Sequence, residues 1–397
     1  MEYSRKAQSI NPSVTLAITA KAKELKSKGV DVITFGVGEP DFNTPENIIE
    51  AANKAMKDGK TKYTPVPGIP ELRKAIVNKF KQDNGLDYEE AQIIVSTGAK
   101  QSLNNAFMAI LNPGDEVIVP TPYWVSYPEL IRLAEGVPVF VENKKEDDYK
   151  YTLETLEKAV TSKTKAIILN DPNNPTGSIY SKEELEMIAE FAKKYDLVII
   201  SDEIYEKLIY DGNKHVSIAS LSEDAKNRTI VINGFSKSFA MTGWRVGYSA
   251  SNKEIAKLMS SLQSHMTSNV NSIAQYASVE ALEGSKDDLN HMISVFEQRR
   301  NLMVKMISEM KDVSIIKPSG AFYVMMNIEN YFNKKINGNE IKNSLDFSNY
   351  LLDEAKVAVV PGIAFGLDSY VRLSYATSEE NIKEGLSRIN EFLKKIQ

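Results

Sequence analysis

Four short apolar stretches of this 397-residue chain each run directly into residues that can do chemistry. Residues 93–95 lead into Ser96, Thr97, Gly98, Ala99 and Lys100. Residues 166–169 lead into Asn170 and Asn174, residues 197–200 into Ser201, Asp202 and Tyr205, and residues 229–232 into Gly234, Ser236 and Lys237, with Arg245 following. In open α/β sheets, ligands bind beyond the carboxyl ends of the strands, so these four groups are expected to converge. A turn of small residues opening a helix presents free N–H groups and about half a positive charge, which suits an anion. Lys237 follows an apolar run and stands among Gly234, Phe235, Phe239 and Met241. Desolvation there pulls its pKa below about 10.4 and leaves some neutral amine. Neutral lysine attacks carbonyls to form Schiff bases. Taken singly, each residue has a plainer reading: Asp202 as a helix cap, Asn174-Pro175 as a turn, Lys237 as one solvated lysine among 48 basic residues.

Composition removes several other chemistries. The chain has no cysteine, which excludes disulfides, thiolate metal sites, Fe–S clusters and cysteine nucleophiles. His215, His265 and His291 are too far apart in sequence for a local histidine-pair metal site, and no metal is expected. A net charge of -5 with mixed signs argues against nucleic acid. No apolar run approaches the roughly 18 residues of a spanning helix. The N-terminal segment lacks a signal-type apolar core, so the expected address is the cytoplasm. Ser314 and Lys317 match the serine–lysine hydrolase spacing, but the companion motifs are missing. There is no P-loop, and Gly36-Val37-Gly38 is followed by Glu-Pro-Asp rather than by a dinucleotide fingerprint. A phosphorylated aromatic aldehyde uses everything assembled: lysine for the aldehyde, carboxylate for a ring nitrogen, phenol and amide for a ring hydroxyl, and N–H groups, serine and arginine for the phosphate. That ligand is pyridoxal phosphate.

The elements that must position these groups are legible. Seven short, mostly non-alternating apolar runs (93–95, 117–119, 137–141, 166–169, 197–200, 229–232, 246–248) read as strands buried on both faces. Helical patterns separate several of them. Ser181 and Glu184 form a capping box ahead of Leu185, Ile188, Ala189 and Ala192, which joins the runs at 166 and 197 into a βαβ unit. Residues 101–111 do the same earlier. Thr44 is expected to cap a helix with Pro45 at N1 and Gly59 at its end. A long amphipathic pattern runs from Asp287 to about Met310, followed by alternating runs at 313–316, 321–326, 357–360 and 371–374. The expected fold class is α/β, a mostly parallel seven-stranded sheet with flanking helices, plus a smaller α+β domain. Residues 44–286 make the large domain, and 1–43 with 287–397 the small one.

The chain resembles the class I aminotransferases of the fold-type I pyridoxal-phosphate family, in particular their prokaryotic aspartate aminotransferase branch. The matching stretches are FGVGEPDF (35–42), KYTPVPGIPELR (62–73), STGAKQSL (96–103), PTPYWVSYPE (120–129), LNDPNNPTG (169–177), SDEIYE (201–206), NGFSKSFAMTGWRVGY (233–248) and VRLSYATS (371–378). All eight occur in the family's order, and the resemblance spans Ser13 to Ser378. It implies that Lys237 holds the cofactor covalently, that Asp202 pairs with the ring nitrogen, and that Tyr205 and Asn174 bond the ring hydroxyl. Trp124 would stack on the ring. Ser236, Arg245 and the N–H groups of Gly98, Ala99 and Lys100 would hold the phosphate, joined by Tyr63 from a partner subunit in a homodimer with shared active sites. Arg372 would clamp the substrate α-carboxylate, helped by the Gly38 backbone and Asn174.

The implied reaction is ping-pong transamination between an amino acid and a 2-oxo acid through the Lys237 Schiff base, with aspartate and 2-oxoglutarate as the expected pair. One branch of the family reads a side-chain carboxylate with an arginine from the partner's loop; the corresponding stretch, residues 262–272, contains none, with Ser264 near that place. Lys100 is the alternative reader of that carboxylate. Asn11, where some relatives carry a basic residue, argues against larger dicarboxylates such as prephenate. An aromatic or broad-range aminotransferase, or a same-fold lyase, shares the same motifs. A cofactor-sensing regulator would need a DNA-binding domain before Gly36, and no room for one is seen.

Overall fold

The computed structural model describes residues 2–10 and 14–397. Asn11 and Ser13 lie outside the described residues. The seven apolar runs all enter one sheet: β1 (Ile93–Ser96), β2 (Glu116–Thr121), β3 (Val137–Glu142), β4 (Thr164–Asn170), β5 (Val198–Asp202), β6 (Thr229–Gly234) and β7 (Gly247–Ala250). Their spatial order is β1-β7-β6-β5-β4-β2-β3. Every pairing is parallel except those of β7, which runs antiparallel to both β1 and β6.

The central strands are apolar along their length because helices cover both faces. Within β4, Ala166 and Ile168 pack with Leu103 and Phe107 of the helix Ala99–Ile110, while Ile167 and Leu169 pack with Leu185 and Ile188 of the helix Lys182–Lys194. That two-residue alternation is what a pleated strand imposes. β3 departs from the expected double burial. It is an edge strand whose Val137 and Phe140 are exposed.

The capping box closes as expected, with Ser181 Oγ accepting from the Glu184 N–H and Glu184 accepting from the Ser181 N–H. The helix after Thr44 instead begins at Glu46, with Pro45 as its cap residue and no side-chain cap. The Thr44 hydroxyl is used elsewhere, donating to Ala240 O at 2.9 Å and accepting from Trp244 Nε1 at 2.9 Å. Asp58 caps the other end, and Gly59 supplies the positive φ just beyond it.

A second sheet orders Val360–Pro361, Tyr370–Ser374, Tyr323–Asn327 and Ser314–Ile315, all antiparallel. The run at 357–360 is divided rather than continuous. Val357–Ala358 pairs in parallel with Ile33–Thr34, and only Val360–Pro361 joins the second sheet. The helix Val14–Ser27 seats Ile18 and Ala22 against Val32, Leu352 and Ala358. The long helix Asp287–Ser308 contributes Phe296, Met303 and Ile307 to the core shared with the helix Glu379–Lys394. Among the described residues no helix is long and apolar enough to cross a membrane.

One glycine fixes how the first crossover helix meets the sheet. A Cβ on Gly247 would lie 2.3 Å from Ala99 N and 2.5 Å from Gly98 C, both backbone atoms. Gly247→Ala is therefore expected to lower unfolding free energy by about 1–3 kcal/mol, the usual size of an overpacking penalty. Gly243→Ala, whose Cβ meets nothing within 4 Å, should stay within about 0.5 kcal/mol of the parent. Urea unfolding at fixed protein concentration measures both.

Candidate active site

The strand ends converge as the strand order requires. A cavity of about 460 Å³ opens at the carboxyl ends of β4, β5 and β6, lined by Asn170, Asn174, Asp202, Tyr205, Ser236 and Lys237 among others. The antiparallel β7 completes it. Because β7 runs the other way, the residues just before it stand at the same sheet edge as the ends of its neighbours. Gly247 pairs with Ser96 of β1 and Gly234 of β6, which brings Arg245 and the start of the helix Ala99–Ile110 to one corner.

That corner is cationic and backbone-rich. Gly98 sits at φ 80°, and a Cβ there would fall 2.4 Å from Arg245 Nη2, so the guanidinium lies directly against the turn. The Gly98 N–H, expected to be free, instead donates to Ser96 O at 2.7 Å. Among the described residues the N–H groups of Ala99 and Lys100 have no acceptor, since no side chain caps this helix. With Ser236 buried nearby and Arg245 anchored by its bond to Thr242 O at 2.9 Å, the corner fits a phosphate. Lys100 projects its ammonium over the Trp124 indole at 5.0 Å. Partial burial, and then the charge of Arg245, lower its pKa.

At the centre stand an amine and a carboxylate. Lys237 Nζ donates to Gly38 O at 2.5 Å and lies 5.9 Å from the Tyr205 ring and 5.7 Å from that of Phe322. It is half-buried in the cavity lining. Burial outweighs the attraction of Glu39 and Asp202 and, with Arg372 and Arg245 pushing the same way, lowers its pKa to about 8. Asp202 ends β5. Its Oδ2 accepts from Tyr127 OH at 2.7 Å and its Oδ1 from the Ile204 N–H at 3.3 Å. Burial outweighs those bonds and raises its pKa to about 6. A cation brought to this carboxylate would relieve that penalty.

Arg372 enters from the second sheet, in a strand paired on both sides. Nη1 donates to Asn174 Oδ1 at 2.9 Å and Nη2 to Gly36 O at 3.3 Å, and the guanidinium lies 4.2 Å from the Tyr323 ring. Among the described residues its Nε has no acceptor, and burial lowers its pKa. A buried guanidinium with no carboxylate partner among the described residues, lining a cavity, suits a bidentate anion. Tyr205 and Tyr323 share a hydrogen bond of 2.9 Å between their hydroxyls, and burial raises both pKa values.

All but one of the expected site residues lie at this cavity or its rim. The exception is Tyr63, which is 93% exposed and absent from the lining. Ser264 lies in the helix Lys253–Met266, bonded to Ser261 O. Sequence alone does not single out Tyr127, Tyr323, Glu39 or Lys23, all of which line the cavity. Tyr127 and Glu39 do fall within two of the matching stretches, whereas Tyr323 is one apolar position of a strand run and Lys23 one of many helix lysines.

Behind Asp202 lies a buried polar layer. His215 Nε2 is 3.8 Å from Asp171 Oδ2 and 3.9 Å from Glu203 Oε2, and neither imidazole nitrogen has a hydrogen-bond partner among the described residues. Glu203, Glu206 and His215 cluster closely, but Glu206 is already neutralised by Lys79 and bonded to Asn84, which makes the group an interior ion-pair network. His291 packs edge-on against Phe42, and His265 ends a surface helix.

Residues 30–389 match the family model of aminotransferase class I and II. The chain is 50% identical to the aspartate aminotransferase of Bacillus subtilis (strain 168), covering 100% of both chains. It superposes on the aspartate aminotransferase from Rhizobium meliloti with a TM-score of 0.97 at 43% identity, covering 100% of each chain. On the aspartate aminotransferase from Thermus thermophilus with maleate the TM-score is 0.93 at 44% identity, covering 98% of this chain and 99% of that one. The fold is fold-type I, and the chain is an enzyme that belongs to the class I and II aminotransferases.

Proposed function

We propose that the chain catalyses pyridoxal 5'-phosphate-dependent transamination of L-aspartate with 2-oxoglutarate, giving oxaloacetate and L-glutamate by ping-pong kinetics. One observation carries the reading. A single cavity holds a depressed amine, a desolvated carboxylate and two separate anion-reading places, the Gly98–Arg245 corner and the Arg372 fork. An amino acid bearing a second carboxylate meets a further cation, Lys100.

Bound pyridoxal phosphate supplies an electron-accepting ring and a carbonyl carbon that takes up the amino group. The residues divide the remaining work. Arg245, Ser236 and the N–H groups of Ala99 and Lys100 hold the phosphate, and Gly98 keeps the approach open. Asp202, oriented by Tyr127, holds a proton on the ring nitrogen. Tyr205, with Asn174, bonds the ring hydroxyl, and Trp124 covers the ring face. Lys237 Nζ would hold the cofactor through its carbonyl carbon and, once free, would serve as the base that moves the substrate Cα proton. Arg372, with Asn174 and the Gly38 backbone, orients the substrate through its α-carboxylate.

The exposure of Tyr63 supports a homodimer in which that phenol reaches the partner's phosphate. We also read residues 44–286 as the cofactor-binding domain and 1–43 with 287–397 as the domain that delivers Arg372.

Lys237→Ala is expected to cut turnover by at least about a thousandfold, within the range for loss of an acid–base group, and normal activity in that variant would refute the assignment. In cofactor-free protein, covalent uptake of the aldehyde at Lys237 should rise with pH through about 8, because the neutral amine is the nucleophile and gains population as pH passes its pKa. A midpoint near 10.4, the free-lysine value, would contradict the desolvated placement. Lys100→Ala should lower kcat/KM for aspartate about tenfold, some 1.4 kcal/mol, and leave phenylalanine within about twofold. Equal losses for the two amino acids would remove Lys100 from substrate reading. The keto acid should form without ammonia, and ammonia release would point to a same-fold lyase.

A further inference from the structure

We infer that Lys23 is a second specificity residue for the distal carboxylate of a dicarboxylate substrate, acting with Lys100 at the mouth of the cavity; this rests on the transaminase reading above. The argument begins with charge. Five cationic side chains line the cavity, Lys23, Lys100, Lys237, Arg245 and Arg372, against two carboxylates, Glu39 and Asp202. Three of the five are committed. Arg245 lies against the Gly98 turn, Arg372 is forked toward the α-carboxylate place, and Lys237 is the reacting amine. Glu39 is held by Thr242 Oγ1 at 2.7 Å and acts on Lys237, and Asp202 is held by Tyr127. The uncommitted cations are Lys100 and Lys23. Lys100 opens the helix Ala99–Ile110, and its ammonium lies over the Trp124 ring, repelled by Arg245.

On the helix Val14–Ser27, Lys26 also lacks a side-chain partner among the described residues, but it lines a separate cavity with Asp31 and Thr377, whereas Lys23 lines the site. Lys21 is paired with Asp353 at 3.0 Å, and Lys28, just past the helix, with Glu24 at 2.5 Å. Lys23 has no ion-pair or hydrogen-bond partner among the described residues. Its backbone is nevertheless fixed. Ile18 and Ala22 seat the helix on Val32, Leu352 and Ala358, the wall whose strand Ile33–Thr34 leads into Gly36, the acceptor of Arg372 Nη2. An unpaired ammonium on a flexible stem, carried by a helix anchored beside the α-carboxylate fork, suits an anion that arrives only with certain substrates. Because Lys23 is exposed, its contribution should be modest and screened by salt.

The test compares holoenzyme with Lys23→Ala, Lys23→Arg and Lys100→Ala. For Lys23→Ala, KM for aspartate should rise about 3- to 10-fold with kcat little changed, as expected when uniform binding is removed. KM for phenylalanine should stay within about twofold, and Lys23→Arg should restore aspartate. Calorimetric binding of succinate, an unreactive dicarboxylate, should weaken by the same factor while butyrate is unaffected, and the difference should shrink at high salt. Equal changes for aspartate and phenylalanine, or none in aspartate KM and succinate binding, would overturn the inference. If the parent enzyme transaminates neither amino acid, the transaminase reading fails instead, and the succinate arm still decides the role of Lys23.

Discussion

The interaction on which the rest depends is one that this chain by itself leaves incomplete. Arg372 is buried, its fork is held by two neutral oxygens, and among the described residues no carboxylate pairs with it. Burying an unpaired ion costs on the order of several kcal/mol even after the protein relaxes around it. The surrounding structure sustains that cost through the Tyr323 and Phe365 rings, 4.2 and 4.9 Å away, and through a strand hydrogen-bonded on both sides. A fold that holds a cation in this condition has stored affinity for an anion, because the anion's arrival removes the penalty. The Arg245 corner offers an anion a second guanidinium together with backbone N–H groups, but without that burial.

Topology explains why these charges share one space. The parallel strands β4, β5 and β6 end at one edge and deliver Asn174, Asp202 and Lys237 there. Arg245 reaches the same edge only because β7 is reversed, and the helix that opens after β1 is close enough only because both Gly247 and Gly98 lack a Cβ. Arg372 arrives from a different sheet altogether. The site is therefore a joint between two sheets, and its geometry depends on how the core around Phe296, Phe322 and Tyr375 holds them together.

Much of this was legible in the residues. The seven strands were visible because burial on both faces demands uninterrupted apolar runs, and the site residues were visible because they punctuate the ends of those runs. What escaped was set by tertiary context. Thr44 reads as a helix cap, but its hydroxyl is taken by Ala240 and Trp244. The Gly98 N–H reads as free, yet the tight turn returns it to Ser96. The reversal of β7 has no signature in three residues of apolar sequence. Tyr323 and Lys23 are ordinary members of a strand and a helix until the second sheet and the N-terminal helix are placed over the cavity.

Lys237 and Asp202 illustrate how one cause acts in opposite senses on an acid and a base. Burial moves the amine down to about 8 and the carboxylate up to about 6, because in each case it is the charged form that loses water. The gap between them, far wider for the free side chains, has narrowed to about two units. Near neutral pH the carboxylate is still mainly ionised and the amine mainly protonated, yet each is within reach of its other form. Lys237 is poised to give and take a proton, whereas Asp202, restrained by Tyr127 and the Ile204 N–H, is poised to accept a cation and keep it. Separate hydrogen-bonding environments, rather than separate residue chemistry, make one group mobile in its proton and the other fixed. Substitutions behind Asp202, in the Asp171–Glu203–His215 layer, therefore act on the fixed partner, whose pKa Glu203 already raises.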